Sequence, residues 1–208
     1  MPARNFNQKK PAHLRFGTIN IGTLTGRSRE LAQVLKKRNI DIACVQECKW
    51  TESKAAEIGE GYKLFYCGER ATRNGVAIAL SKHLLQSPYK IERTSDRLMS
   101  IRIELGTADV NVVTCYAPQT GCSDETKNEF WDKLDRIIRT IAPDEHILIG
   151  GDLNSHVGSN RGGYPQCHGG QGLGVRNDDG IHILNFAAAH NLAVTNTFFK
   201  KRPSHLAT

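Results

Sequence analysis

Hydrophobic positions fall into two rhythms along the chain. Residues 13–21, HLRFGTINI, alternate as a strand does, through Leu14, Phe16 and, past Gly17, Ile19 and Ile21. Residues 26–39, GRSRELAQVLKKRN, switch to a helical period. Leu31, Val34 and Leu35 form the apolar stripe, Lys36, Lys37 and Arg38 suit the C-terminal dipole, and Asn39 ends the run. IDIACVQE, residues 40–47, is apolar almost throughout and reads as a strand buried on both faces. Strand, helix, strand in that order is a crossover unit.

The middle of the chain is strand-rich. YKLFYC (62–67), GVAIAL (75–80), MSIRIEL (99–105) and DVNVVTCYA (109–117) each predict a strand, and the alternation in IRIEL leaves one of its faces wet. Residues 123–141 predict a helix with Ser123 or Asp124 as cap and a stripe of Phe130, Leu134, Ile137, Ile138 and Ile141. HILIGG (146–151) predicts a buried strand. Residues 157–180 hold eight glycines and read as a long, polar, mobile loop without the G-x-x-x-x-G-K-[ST] spacing of a nucleotide cradle. Residues 179–191 predict a helix capped by Asp178 or Asp179, and LAVTNT (192–197) a last strand. Several strands in a row separate the helices. That order predicts an α/β (α+β) fold of two packed mixed β-sheets flanked by helices, not a Rossmann sheet. Residues 1–13 read as a disordered basic tail and 14–208 as one domain.

Composition changes this picture little. The chain is 39% hydrophobic and 24% charged, ordinary for a globular protein, and has no apolar run long enough to span a membrane. The stretch MPARNFNQKKPAHLRFG is basic but lacks the apolar segment of a secretory signal. The six cysteines, at 44, 48, 67, 115, 122 and 167, include no C-x-x-C pair. These features point to an intracellular protein, nuclear or cytoplasmic, with free thiols rather than disulfides or a zinc site. Charge is more telling. The net charge of +7 is concentrated in residues 1–38, which carry nine Lys/Arg against one acid, while the remainder carries nineteen against twenty. A second small basic cluster is Lys200, Lys201 and Arg202. Such patches suit a polyanion partner through counterion release and serve equally as solubilising surface.

Polar residues terminate the strands. Asn20 interrupts the first, Gln46 and Glu47 end the second, Tyr116 ends VNVVTCYA, and Asp152 and Asn154 follow HILIGG. In a layered sheet these strand ends converge on one edge. Carboxylates with amides, without His or Cys, suit a hard cation such as Mg²⁺, and a metal beside an Asp that holds a water is equipment for phosphoester hydrolysis. Each residue also has a plain structural reading: Asn20 and the Asp152–Asn154 pair as turn or cap residues, Glu47 as a surface acid, Tyr116 as a packing residue.

The segments GTINI, IDIACVQE, NGVAIAL, VNVVTCYAP and LIGGDLNSHVG, in that order, resemble the endonuclease/exonuclease/phosphatase superfamily. Within it, TLTGRSRELAQVL, GLGVRNDDG and FFKKRPSHLAT resemble the apurinic-like endonuclease domains of RTE-type non-LTR (LINE) retrotransposons and the craniofacial development protein 2-like group. The resemblance covers residues 14–208. It implies a DNase I-like, four-layer α/β-sandwich and Mg²⁺-dependent cleavage of DNA, with Mn²⁺ able to substitute and neither a membrane nor an organic cofactor involved. By the same resemblance Glu47 is the principal metal ligand with Asn20 in its shell, and Asp152 positions or deprotonates the attacking water. Asn154 orients that water or the phosphate, Tyr116 donates to the phosphate, and Arg73 and Asn74 approach the nucleic-acid backbone. RNA is the alternative polymer. A phosphatase or RNA 3′-exonuclease of the same superfamily, and a catalytically inactive nucleic-acid-binding remnant, are the alternative functions.

The family pattern continues with an I-D-Y/H-I strand and a Ser-Asp-His element, neither of which stands before Thr208. The expectation is therefore a fold lacking its last strands. His205 is not the family histidine, and His156, His168, His182 and His190 match no motif and read as solvent-exposed or helix-surface residues.

Overall fold

The computed structural model describes residues 13–106 and 109–202. The tail expected over 1–13, save His13, and the segment SHLAT lie outside the described residues. The chain divides into two compact units, Met1–Ala117 with Asn128–Asp152, and Pro118–Lys127 with Leu153–Thr208.

The first unit carries nine strands in two mixed sheets. One sheet holds β1 (Phe16–Asn20), β2 (Ile42–Gln46), β5 (Val76–Ser81), β4 (Tyr62–Cys67) and β3 (Ala55–Gly59), in that spatial order, with β1 and β2 parallel. The other holds β6 (Pro88–Ser95), β7 (Leu98–Glu104), β8 (Asp109–Tyr116) and β9 (His146–Asp152), with β8 and β9 parallel. The strand period of two sorts the side chains. Ile42 and Cys44 of β2, Val76, Ile78 and Leu80 of β5, and Met99, Ile101 and Ile103 of β7 join one core between the sheets. The alternate residues Ala43, Val45, Ala77 and Ala79 meet Leu31, Ala32 and Leu35 of α1 (Ser28–Lys37) on the outer face. α2 (Asp124–Arg139) begins in the second unit and continues into the first, with Phe130, Leu134, Ile137 and Ile138 buried. Its C-terminal end and the following Thr140 and Ile141 lie over Ser100, Arg102 and Asn111 on the outer face of the second sheet. The layers therefore run helix, sheet, sheet, helix, the sandwich expected of the DNase I-like fold.

Local signals explain most of the elements. Asn39 adopts φ +51°, and the N–H of Ile40 reaches back to the Leu35 carbonyl at 3.0 Å, a left-handed stop that ends α1 where the sequence expects it. Ser123 caps α2 by accepting from the N–H of Thr126 at 3.4 Å. On β7, Arg102 spans to Glu145 in a half-buried ion pair at 2.6 Å, so its non-core face is wet only in part. Two strands escape the sequence reading. β3 buries only Ile58, and β6, an edge strand with bulges after Pro88 and Arg93, shows no two-residue period.

The second unit corrects three expectations. α3 (Asp178–Ala189) is capped by Asn177, whose side chain accepts from Gly180 N–H at 2.8 Å. Asp178 and Asp179 fall inside the first turn, where Asp179 pairs with Lys127 at 3.1 Å. Residues 192–197 form no strand. The N–H groups of Leu192 and Val194 go to the carbonyls of Ala187 and Cys167, and Thr195–Thr197 make one 3₁₀ turn. His168 is fully buried, not exposed: its Nδ1 accepts from Gly170 N–H at 3.1 Å, so Nε2 is the donor to the Gly158 carbonyl at 3.0 Å. The glycine-rich segment is irregular but tied down. The Arg176 guanidinium donates to the carbonyls of Val157, Asn160 and Gly162 and lies over the Tyr164 ring.

Candidate active site

Two glycines bring the candidate residues together. A Cβ on Gly150 of β9 would lie 2.7 Å from Cys44 Cβ and 2.8 Å from Phe16 Cζ, so only glycine lets β9 pass this close to β1 and β2 of the other sheet. A Cβ on Gly151 would run into the Cys115 carbonyl and Sγ of β8. The next residue is Asp152. The close approach of the two sheets therefore delivers its carboxylate to the ends of β1 and β2.

Asn20, Glu47, Tyr116 and Asp152 meet there. The Asn20 amide nitrogen donates to Glu47 Oε1 and to Asp152 Oδ2, both at 2.9 Å, while its oxygen accepts from Gly22 N–H at 3.0 Å. The Tyr116 phenol donates to the same Glu47 Oε1 at 2.8 Å. Lys49 Nζ stands 3.6 Å from Glu47 Oε2. Partial burial pushes the Glu47 carboxyl up, but the hydrogen bonds from Asn20 and Tyr116 and the Lys49 charge outweigh it and hold the carboxyl below its ordinary value. Glu47 is ionised at neutral pH.

The backbone that presents Glu47 is left-handed at two non-glycine residues, Glu47 (φ +54°) and Lys49 (φ +53°). Such conformations cost on the order of 1–2 kcal/mol each and persist only where surroundings impose them. Here Cys48 N–H and Lys49 N–H donate to the carbonyls of Gly75 and Asn74 at 3.0 and 3.1 Å, and Leu24 N–H donates to Cys48 O at 3.0 Å. Below the turn, Gln46 is buried and donates to Thr114 Oγ1 at 3.3 Å, tying the end of β2 to β8.

Of the other residues singled out in the sequence, Asn74 adjoins this turn. Its side chain donates to Asp96 at 2.8 Å rather than to the carboxylate pair. Arg73 is exposed, in the turn bridged by Arg70 and Arg73. Asn154 opens the second unit with φ +48°. Three residues near the site were not singled out: Lys49, Asp96 and Arg97. Arg97 stacks over the Tyr116 ring and donates to the carbonyls of Tyr116 and Ala117 at 3.2 and 3.3 Å. Lys49, two residues after Glu47, had a legible signal. The other two become visible only once β6 and β7 are paired.

The donor set is two carboxylates with amide and phenol oxygens, and no group of three or more His, Cys, Asp or Glu side chains surrounds them among the described residues. That fits a hard cation such as Mg²⁺, which binds one or two carboxylates and keeps water or phosphate oxygens. It does not fit zinc or an all-protein calcium cage.

A two-sheet sandwich with carboxylates and amides at its strand ends defines a class, the metal-assisted hydrolases of phosphate esters. Residues 17–205 match the endonuclease/exonuclease/phosphatase family, and the chain belongs to that family. It is 28% identical over 195 residues to craniofacial development protein 2 of Bos taurus, a match covering 93% of this chain and 32% of that protein. The chain thus spans about a third of the length of that relative. Its fold is shared with an AP endonuclease from Archaeoglobus fulgidus (TM-score 0.63, 22% identity, 85% of this chain and 70% of that one). It is shared also with the endonuclease domain of TRAS1, a telomere-specific non-LTR retrotransposon (TM-score 0.60, 15% identity, 85% and 72%). Among the described residues no helix is long and apolar enough to cross a membrane.

Proposed function

We propose that the chain cleaves phosphodiester bonds in DNA with the help of a divalent cation, Mg²⁺ or in its place Mn²⁺. The observation that carries this reading is the Asn20 amide shared at 2.9 Å between Glu47 and Asp152, which holds two carboxylates of different surroundings side by side. The names of the AP endonuclease and the retrotransposon endonuclease domain agree with DNA as the polymer. The finer form of the proposal is retrotransposon-type nicking, acting in the nucleus or cytoplasm.

Glu47, ionised and aimed by Asn20 and Tyr116, holds the cation, with Asn20 beside it. When bound, the metal supplies charge stabilisation for the phosphate and a water of lowered pKa. Asp152 takes the proton from the attacking water as the water oxygen forms the new P–O bond, and the ester oxygen leaves with a proton from solvent. The Tyr116 O–H, fixed by Arg97 behind its ring, donates to the phosphate as charge develops. Asn154 orients the water or the phosphate, and Arg73 and Asn74 meet the neighbouring backbone.

A supercoiled-plasmid nicking assay tests this, run with Mg²⁺, with EDTA, and with Glu47→Ala and Asp152→Ala. The expected result is nicking that requires the metal and disappears in both variants. No nicking by a chain shown to be folded overturns the enzyme reading in favour of a nucleic-acid-binding module. Release of phosphate from inositol phosphates, or trimming of RNA 3′ ends, without nicking moves it to another branch of the family.

A further inference from the structure

We infer that the tip of the β4–β5 hairpin is a clamp for the nucleic-acid backbone, formed by Arg70 together with Arg73. The inference rests on the proposed function for the identity of the polymer.

The register of the hairpin places the two arginines. β4 and β5 pair from Tyr62↔Ser81 to Cys67↔Val76, and the same register continues past both strands to the isolated bridge Arg70↔Arg73, which closes on Ala71 and Thr72. β2 ends at Gln46, opposite Val76. The tip therefore overshoots the end of β2 by three residues, roughly 10 Å at strand rise, on the side where Glu47 emerges. Residues directly opposite in an antiparallel bridge put their side chains on one face, about 5 Å apart at Cβ, and like charges so placed repel. Both arginines are exposed, and among the described residues neither guanidinium is in an ion pair. Glu52, the acid bridged to Gly68 at the base of the tip, is committed to Lys54 at 2.5 Å. Two parallel guanidiniums without a carboxylate match a phosphate backbone, whose oxygens accept forked hydrogen bonds.

The tip is also braced, which a merely solubilising pair of charges does not require. Gly68 N–H donates to Glu52 O at 3.1 Å, and a Cβ on Gly68 would collide with the Trp50 carbonyl. Opposite it, Gly75 (φ +89°) leaves a Cβ only 3.0 Å from Lys49 N, and its N–H donates to Asp96 O at 2.9 Å. The segment that presents Glu47 thus lies directly against the hairpin. Arg70 and Arg73 are held in a fixed relation to the carboxylate, as a device that seats a polymer across the site requires.

Fluorescence anisotropy with a short labelled DNA duplex, in EDTA and over an NaCl series, tests the clamp without needing turnover. Each phosphate contact contributes a slope of about 0.9 in log K against log salt. Arg70→Gln is expected to reduce the slope by about 0.9, and Arg70→Gln with Arg73→Gln by about 1.8. Arg70→Lys with Arg73→Lys, which keeps the charge, retains the slope. A double Gln variant that binds with the unaltered slope overturns the clamp, as does a folded wild-type chain that does not bind the duplex. A chain that fails to nick but shows these slope changes loses the proposed function and keeps the clamp. A chain that nicks but shows no slope change keeps the function and loses the clamp.

Discussion

Gly150→Ala asks whether the site depends on the close passage of β9 across the first sheet. The added methyl would sit 2.7 Å from Cys44 Cβ, 2.8 Å from Phe16 Cζ and 2.9 Å from Cys44 Sγ, where ordinary contacts lie at 3.4–4 Å. The shortfall against Cys44 Cβ is about 0.7 Å. A Cβ cannot swing away as the end of a long side chain can, so β9 or β2 must shift as a strand. Overpacking of this kind costs about 1–3 kcal/mol. Urea unfolding measures it, followed by the fluorescence of the two tryptophans, Trp50 and Trp131, which both belong to the first unit. Gly121→Ala is the control, because its added methyl meets nothing within 4 Å; it is expected to change stability by less than about 0.5 kcal/mol. Gly150→Ala should lower the midpoint with little change in slope. Because Asp152 lies two residues on, metal-dependent nicking should fall further than the stability loss accounts for. A Gly150→Ala chain as stable as the unaltered one would refute the argument that glycine is needed for the two sheets to meet.

Asn20→Ala removes the donor shared by Glu47 and Asp152 and is expected to lower plasmid nicking about 10- to 100-fold, as loss of a ligand-orienting partner does; Asn20→Asp, which adds a third negative charge, should be worse, and nicking within threefold of wild type (about the scatter expected of such effects) would count against the network. Tyr116→Phe deletes one of the hydrogen bonds that hold the Glu47 carboxyl down, so its titration, followed by NMR, should move up toward the ordinary carboxylate range. The sign for stability follows: Glu47's contacts stabilise the fold above its unfolded pKa, and that contribution is lost as pH falls through the lowered folded value, so acid unfolding of Glu47→Gln should depend less on pH there. Asn177→Ala removes the cap of α3 and the acceptor for His156 N–H at 3.1 Å; it should cost about 1 kcal/mol and speed hydrogen exchange at Gly180 and His156, and unchanged exchange at both would contradict the cap.

Which elements the sequence discloses depends on how much of each face they bury. β2 and β5, buried at every position, and β8, buried at nearly every one, are continuous apolar runs and stand out at once. β3 and β6 present only one or two core residues, since each lies at a sheet edge where the other face is water, and their strand character comes from pairing with β4 and β7 rather than from side-chain pattern. LAVTNT misleads for the opposite reason. Its alternating Leu192, Val194 and threonines look like a strand, but their partners are carbonyls of α3 and the glycine-rich segment, with Thr197 Oγ1 accepting from Gly169 N–H at 2.8 Å. His168 misleads likewise: a histidine between glycines looks exposed until the backbone closes around both of its ring nitrogens.

The site was legible for a different reason. Strands deliver a residue to the sheet's edge wherever their apolar run stops, so Glu47, Tyr116 and Asp152 announce themselves as polar residues at the end of buried strands, with no knowledge of sheet order. What the run cannot disclose is direction. That β1 and β2 are parallel, that β8 and β9 are parallel, and that these two pairs end together is a matter of topology. It is settled in part by Gly150, whose missing side chain lets one sheet rest on the other. Lys49, Asp96 and Arg97 stayed hidden because none of them ends an apolar run. They reach the site through a left-handed turn and through the turn between β6 and β7, where hydrogen bonds to Asn74, Gly75 and the Tyr116 carbonyl do the placing. Their contacts run to Glu47, to Asn74 and Gly75, and to Tyr116, so the part of the site least visible in the sequence is the part that sets the carboxylate's charge and the phenol's aim.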